Sequence, residues 1–265
     1  MPRTIRQTFS EWRSSRRFAV APFIPAGYPD LATTQAALKA CDRAGAAIIE
    51  VGFPFSDPVA DGPVIQEAFT YALSKKLKVQ QIFAAIGELK GQIQTPLVAM
   101  ASYSIIFRYG LDRFLSDAKG AEFGGLIIPD LPPPEAESVC GKVREAGLET
   151  TLLIAPTTAA ARRQEIARLS SGFVYYLSIS GTTGERDALP PELAAGVAQI
   201  KTMTDTPICV GFGIHRRSQL DEMAGFADGA IVGSAIVRRM KEHMNEKPEA
   251  IAAIVEGYVR ELTGN

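Results

Sequence analysis

Short, almost continuously apolar runs recur along the chain, and between them apolar residues fall at helical spacing. The runs are FAVAPFIPAG (18–27), AAIIEVGFP (46–54), PLVAMAS (96–102), GGLIIPD (124–130), TTLLIAP (150–156), FVYYLS (173–178), PICVGFG (207–213) and GAIVGSA (229–235). Most do not alternate between apolar and polar positions. That is the pattern of parallel strands covered on both faces. Amphipathic stretches at 31–45, 64–76, 79–91, 106–121, 134–147, 159–171, 191–203, 218–226 and 234–246 predict helices, and 251–262 predicts a further terminal helix. Several are followed by a glycine just past the last periodic position, the usual helix stop. Segment 4–14, with Phe9 and Trp12 at helical spacing, predicts a short helix that plugs the barrel bottom. Strand then helix, eight times in about 250 residues, predicts an α/β chain folded as a (β/α)8 TIM barrel. The extra N-terminal helix and extra terminal helices belong to it, as one domain over 1–265. A doubly wound open sheet is the architectural alternative.

Composition narrows the partners. With 28 Lys+Arg against 29 Asp+Glu, the chain carries no basic footprint for nucleic acid. Three dispersed cysteines (Cys41, Cys140, Cys209) without C-x-x-C spacing point to a reducing compartment and away from a zinc site. The longest apolar run, Phe18 to Tyr28, is 11 residues, short of the ~20 that span a bilayer. Arg16-Arg17 before it imitates an export signal. Pro22 and Pro25 interrupt the run, and no A-x-A site follows. It reads better as strand one of a cytoplasmic protein.

Barrel chemistry is built at the C-terminal strand ends. No strand run contains lysine, which leaves an imine-forming aldolase without a nucleophile. Only two histidines occur, His215 and His243, and G-x-S-x-G is absent, so metal and triad chemistry have no basis. Carboxylates, tyrosines and backbone amides remain. Glu50 sits within AAIIEVGF, where lost hydration would raise its pKa into the range useful for proton transfer. A structural pairing with an arginine is the competing reading. Asp61, in the loop FSDPVADGP, supplies a possible second carboxylate, whereas Asp57 suits a cap or turn. Gly211 and Gly213 close strand seven, and Gly233-Ser234 closes strand eight and opens a helix. Glycines at these two ends suit a phosphate group. The cluster Ser180-Gly181-Thr182-Thr183-Gly184 suits a mobile lid, with Thr182 and Thr183 supplying hydroxyls.

The segments IIEVGFPFSDPVADGPVIQ (48–66), PDLP (129–132), LIAPTT (153–158), YYLSISGTTG (175–184), VGFGI (210–214) and IVGSAIV (231–237), in this order, resemble the tryptophan synthase α-subunit family. The opening FIPAGYPD (23–30) also resembles that family's first strand and turn. The resemblance implies retro-aldol cleavage of indole-3-glycerol phosphate to indole and glyceraldehyde-3-phosphate, without a cofactor or metal. It implies that Glu50 protonates indole C3 and handles the glyceryl hydroxyl proton. Asp61 would hold the indole N–H, Tyr175 would assist, and Phe23 would line the indole pocket. Gly184, Gly213, Gly233 and Ser234 would hold the phosphate. It further implies a pyridoxal-phosphate β subunit as partner, in an αββα heterotetramer, with SDPVADGP and PDLPPP as the partner face.

Three positions depart from the family pattern: Ser104-Ile105 after Tyr103, Ile179 in the lid, and Pro133-Pro134, which would stiffen a loop. Two rival readings are a sugar-phosphate isomerase and a non-catalytic regulatory subunit that binds a phosphorylated ligand. Isomerases with two aspartates at strands one and five would need them where this chain has Pro25-Ala26-Gly27 and Ala155-Pro156.

Overall fold

The computed structural model describes residues 3–57, 61–177, 189–211 and 213–265. The lid residues Thr182, Thr183 and Gly184, with Ile179, lie outside the described residues, as does Phe212. Strands β1 (Ala19–Pro25), β2 (Ile49–Gly52), β3 (Leu97–Met100), β4 (Phe123–Ile127), β5 (Glu149–Ile154), β6 (Val174–Leu177), β7 (Ile208–Gly211) and β8 (Gly229–Val232) close a barrel. Every neighbouring pair is parallel, and β8 returns to β1. The sequence predicts this fold: six strands fall inside their apolar runs, and β4 and β5 each begin one residue before theirs. The arginine-preceded run 18–27 holds β1, paired with β2 on one side and β8 on the other.

Helices cover the outside: α2 (Leu31–Arg43), α3 (Pro63–Ser74), α4 (Val79–Gly87), α5 (Tyr103–Tyr109), α6 (Leu111–Gly120), α7 (Pro133–Glu145), α8 (Ala160–Leu169), α9 (Leu193–Lys201), α10 (Arg217–Met223), α11 (Ser234–Glu242) and α12 (Pro248–Thr263). Ahead of them stands α1 (Ile5–Ser14). None of the described helices is long and apolar enough to cross a membrane.

Two expectations change. The stretch 106–121 is two helices, because Gly110 takes φ +92 between α5 and α6. That left-handed value suits glycine and ends a helix whatever the hydrophobic period continues to say. Pro133 and Pro134 are not a stiffened loop but the first turn of α7. A missing N–H costs nothing there, because first-turn donors have no intrahelical acceptor.

Alternate residues of each strand face the barrel axis. Ala19, Ala21, Ile48, Val98, Ile127, Phe173, Tyr175, Cys209 and Ile231 form an interior cluster with Ile5, Phe9 and Trp12 of α1. The short helix is thus the bottom plug expected of it. A Thr4–Gln7 capping box starts it, Thr4 N–H donating to Gln7 Oε1 at 3.0 Å and Gln7 N–H to Thr4 Oγ1 at 3.1 Å. Phe9 packs on Phe173 with centroids 5.9 Å apart, and Arg13 donates to Asp228 at 3.0 Å. With the lower end filled, space remains at the strand C-termini.

Candidate active site

Six of the eight strands contribute to one cavity at that upper end. Phe23, Glu50, Met100, Tyr175, Gly211 and Ile231 reach it from strands, Asp61 from just before α3, Ile65 from the first turn of α3, and Gly213, Gly233 and Ser234 from beyond the last two strand ends. The structure therefore brings together every described residue singled out for catalysis or binding.

Glu50 continues the inward face after Ile48, in register between Phe23 on β1 and Val98 on β3. It is fully buried, and neither carboxyl oxygen has a hydrogen-bond partner among the described residues. Burial therefore holds its pKa well above the usual carboxylate range, and the charge of Asp61 adds to the rise. The arginine pairing that would have made Glu50 structural is not among its described contacts.

Asp61 is placed by the helix start beside it. Gly62 is the N-cap of α3, Pro63 its first residue, and Gln66 donates its Nε2 hydrogen to the Asp61 carbonyl at 2.8 Å. Burial lifts the Asp61 carboxyl to about 6. The two acids are thus unequal. The Asp61 charge helps keep the proton on Glu50. Burial and the Asp61 charge thus both favour the protonated form of Glu50, the kind of bias that assigns donor and acceptor roles to a pair. Asp57 lies exposed outside this cavity.

Tyr175, in register with Leu153 and Cys209, is buried, and its phenol is pushed well above its ordinary value by burial and then by Glu50 and Asp61. It remains a neutral O–H donor. Its ring lies over Gly211, where an added Cβ would meet the ring at 2.6 Å. The same device recurs across the barrel. Phe23 lies over Gly52, whose Cβ would stand 2.4 Å from the ring, with Phe69 behind it at 6.2 Å. In both cases an inward aromatic leans over a glycine two residues beyond its register partner on the next strand.

The side expected to take a phosphate is built from Gly213, at φ +74, and the start of α11, where Gly233 is the N-cap and Ser234 the first residue. The Gly233 carbonyl accepts from Ile236 and Val237. The first N–H groups of a helix have no intrahelical acceptor, so this end attracts an anion. Gly211 plays a different part from Gly213, since its vacant side-chain space belongs to Tyr175.

A second cavity shares Asp61 and Met100 with the first. Sequence reasoning did not anticipate it, nor the cluster on its wall. Ser102 donates to Asp130 Oδ2 at 2.6 Å and lies 2.9 Å from Ser104 Oγ, while Tyr103 N–H donates to Asp130 Oδ1 at 2.7 Å. Asp130 thereby ties the loop after β4 to the N-terminus of α5, and Ser104, one of the departures from the family pattern, belongs to that tie. Met100 carried a signal that could have been read, as the inward residue after Val98 on the strand beside Glu50.

Comparisons with known proteins agree with this geometry. The family described as "Tryptophan synthase alpha chain" matches residues 9–263. A tryptophan synthase alpha chain from Synechocystis sp. is 43% identical over 255 residues, covering 96% of each chain. A Mycobacterium tuberculosis tryptophan synthase structure superposes with a TM-score of 0.88 at 34% identity, covering 100% of this chain and 98% of that one. The tryptophan synthase A-subunit from Pyrococcus furiosus gives 0.85 at 33% identity, covering 93% of this chain and 98% of that one.

Proposed function

The chain belongs to the tryptophan synthase alpha chain family, and from that membership we propose that Glu50 and Asp61 carry out retro-aldol cleavage of indole-3-glycerol phosphate in the first cavity. It is a carbon–carbon lyase of tryptophan biosynthesis. The substrate phosphate sits at Gly213, Gly233 and Ser234, with Gly184 and the hydroxyls of Thr182 and Thr183 contributed by the lid, and the indole ring lies against Phe23.

The reaction needs a proton on indole C3 and then a proton removed from the neighbouring glyceryl hydroxyl. Neutral Glu50 gives the first. Protonation leaves positive charge on the ring nitrogen, and ionised Asp61 accepts the N–H and stabilises that charge. The newly formed Glu50 carboxylate then takes the hydroxyl proton. The carbon–carbon bond breaks, its electrons return to the ring, and indole and glyceraldehyde-3-phosphate separate. Glu50 ends protonated, as it began. Tyr175, neutral and braced over Gly211, offers its O–H to the glyceryl end.

The observation that carries this reading is the buried Glu50 carboxyl, unpartnered among the described residues, facing the same cavity as the second acid, Asp61. Purified protein given indole-3-glycerol phosphate is expected to release indole and glyceraldehyde-3-phosphate in equal amounts. A folded protein that releases neither, with or without a β subunit, would overturn it.

Residues 1–265 act as one barrel domain in this reading, in the cytoplasm. The partner is the pyridoxal-phosphate β subunit, in an αββα tetramer. Phe107, 71% exposed on α5, supports a partner face there, because the start of α5 is tied to the PDLPPP segment through Asp130.

A further inference from the structure

We propose that the second cavity is a subsite for groups carried on the benzo ring, so that the substrate class extends to ring-substituted indole-3-glycerol phosphates. The inference rests on the function proposed above and deepens it.

The two cavities meet at Asp61 and Met100. A substrate whose phosphate lies at Gly213, Gly233 and Ser234, and whose reacting carbon lies at Glu50, has its far end at that shared boundary. With the indole N–H on Asp61, the ring edge next to the nitrogen carries C7 and C6, and this edge faces the second cavity. Beyond the boundary the space is bounded by Phe53, Phe55, Phe69 and Pro129, apolar surfaces suited to a methyl group. Three of the polar residues on its wall are already engaged with one another, while Asp57 is exposed. Asp130 accepts from Ser102 and from the Tyr103 backbone, and Ser104 lies against Ser102. An apolar substituent therefore strands none of these bonds. A pocket closed tightly at Met100 would instead resist even one added methyl group. The small side chain of Ser102 keeps the far wall open.

The reverse reaction gives a direct test. Indole C3 bonds to the aldehyde carbon of glyceraldehyde-3-phosphate, and the proton leaving C3 balances the new hydroxyl. Values of kcat/KM are measured for indole, 6-methylindole and 7-methylindole with the wild-type chain and with Ser102→Ala and Ser102→Leu. At least one methylindole is expected within about tenfold of indole, where one methylene in a fitted pocket is worth 10-fold or more. Ser102→Ala removes the hydroxyl without filling space and is expected to keep that ratio. Ser102→Leu fills the space and is expected to lower it at least about tenfold. Each ratio is taken within one protein, so partial loss of folding cancels. Both methylindoles slower than indole by more than that margin, or a ratio untouched by Ser102→Leu, would overturn the inference. Should Ser102→Leu not fold, the wild-type ratios decide. If indole itself fails to condense, the functional reading falls and takes the inference with it. Condensation of indole alone overturns the inference and leaves the function standing.

Discussion

The phenol ring of Tyr175 occupies the space that a side chain on Gly211 would need. A Cβ there would stand 2.6 Å from Cε1 and 2.7 Å from the hydroxyl oxygen. Gly211→Ala must therefore displace the ring from this position, at a cost of about 1–3 kcal/mol in stability. Turnover should fall at least about tenfold, since small misplacements near reacting groups are expensive. In a double-mutant cycle Tyr175→Ala should relieve the Gly211→Ala cost, giving a coupling of about 1 kcal/mol or more in chemical denaturation. Additive effects would mean that the two side chains do not share this space.

Glu50 is held toward its protonated form and is unpartnered among the described residues, at the expense of stability. Replacing it with Met, similar in length and apolar, should stabilise the fold at pH 7 by about 1–3 kcal/mol, the usual cost of a buried polar group without a hydrogen bond. Urea unfolding of the wild type and Glu50→Met, with turnover in parallel, would show a more stable and inactive protein. A destabilised Glu50→Met would contradict the unpartnered state of the acid.

The pH dependence of activity and of stability should run in opposite directions. Asp61 must be ionised to accept the indole N–H, so kcat/KM should fall as the pH drops through about 6. For stability, the native state binds the Asp61 proton more tightly than the unfolded chain. Its contribution is complete below the ordinary carboxyl value of 3.8 and is lost as the pH rises through about 6. The loss reaches about 3 kcal/mol at most. Asp61→Asn should remove both dependences, as a pH series of denaturant midpoints and initial rates would reveal.

Ser234 opens α11 at the proposed phosphate end of the cavity. Ser234→Ala should raise KM about 10- to 100-fold with kcat little changed, because a hydrogen bond to a charged group contributes about 1.5–3 kcal/mol. Steady-state kinetics separate this from a catalytic defect, in which kcat would fall instead.

Much of this architecture is legible in the chain because doubly covered strands carry an apolar signature that needs no partner to be recognised. Glu50, Gly213, Gly233 and Ser234 can be placed for the same reason, since each stands at or just past a strand end. What escapes depends on distant residues meeting. The Ser102–Asp130 bond joins positions 28 apart in sequence. The fit of Tyr175 over Gly211 depends on the β6–β7 register, which neither run shows alone. The break at Gly110 escapes because the hydrophobic period continues across it. Pro133-Pro134 reads as a loop until the course of α7 shows a first turn.

The central claim is that Glu50 supplies and recovers the proton that drives cleavage. Single-turnover release of indole from indole-3-glycerol phosphate by Glu50→Gln, alongside binding of a phosphate analogue that lacks the cleavable hydroxyl, tests it most directly. The account predicts analogue binding close to wild type and indole release slower by about 100-fold or more, the usual contribution of a positioned general acid–base. Indole release near the wild-type rate from a folded Glu50→Gln protein would contradict it.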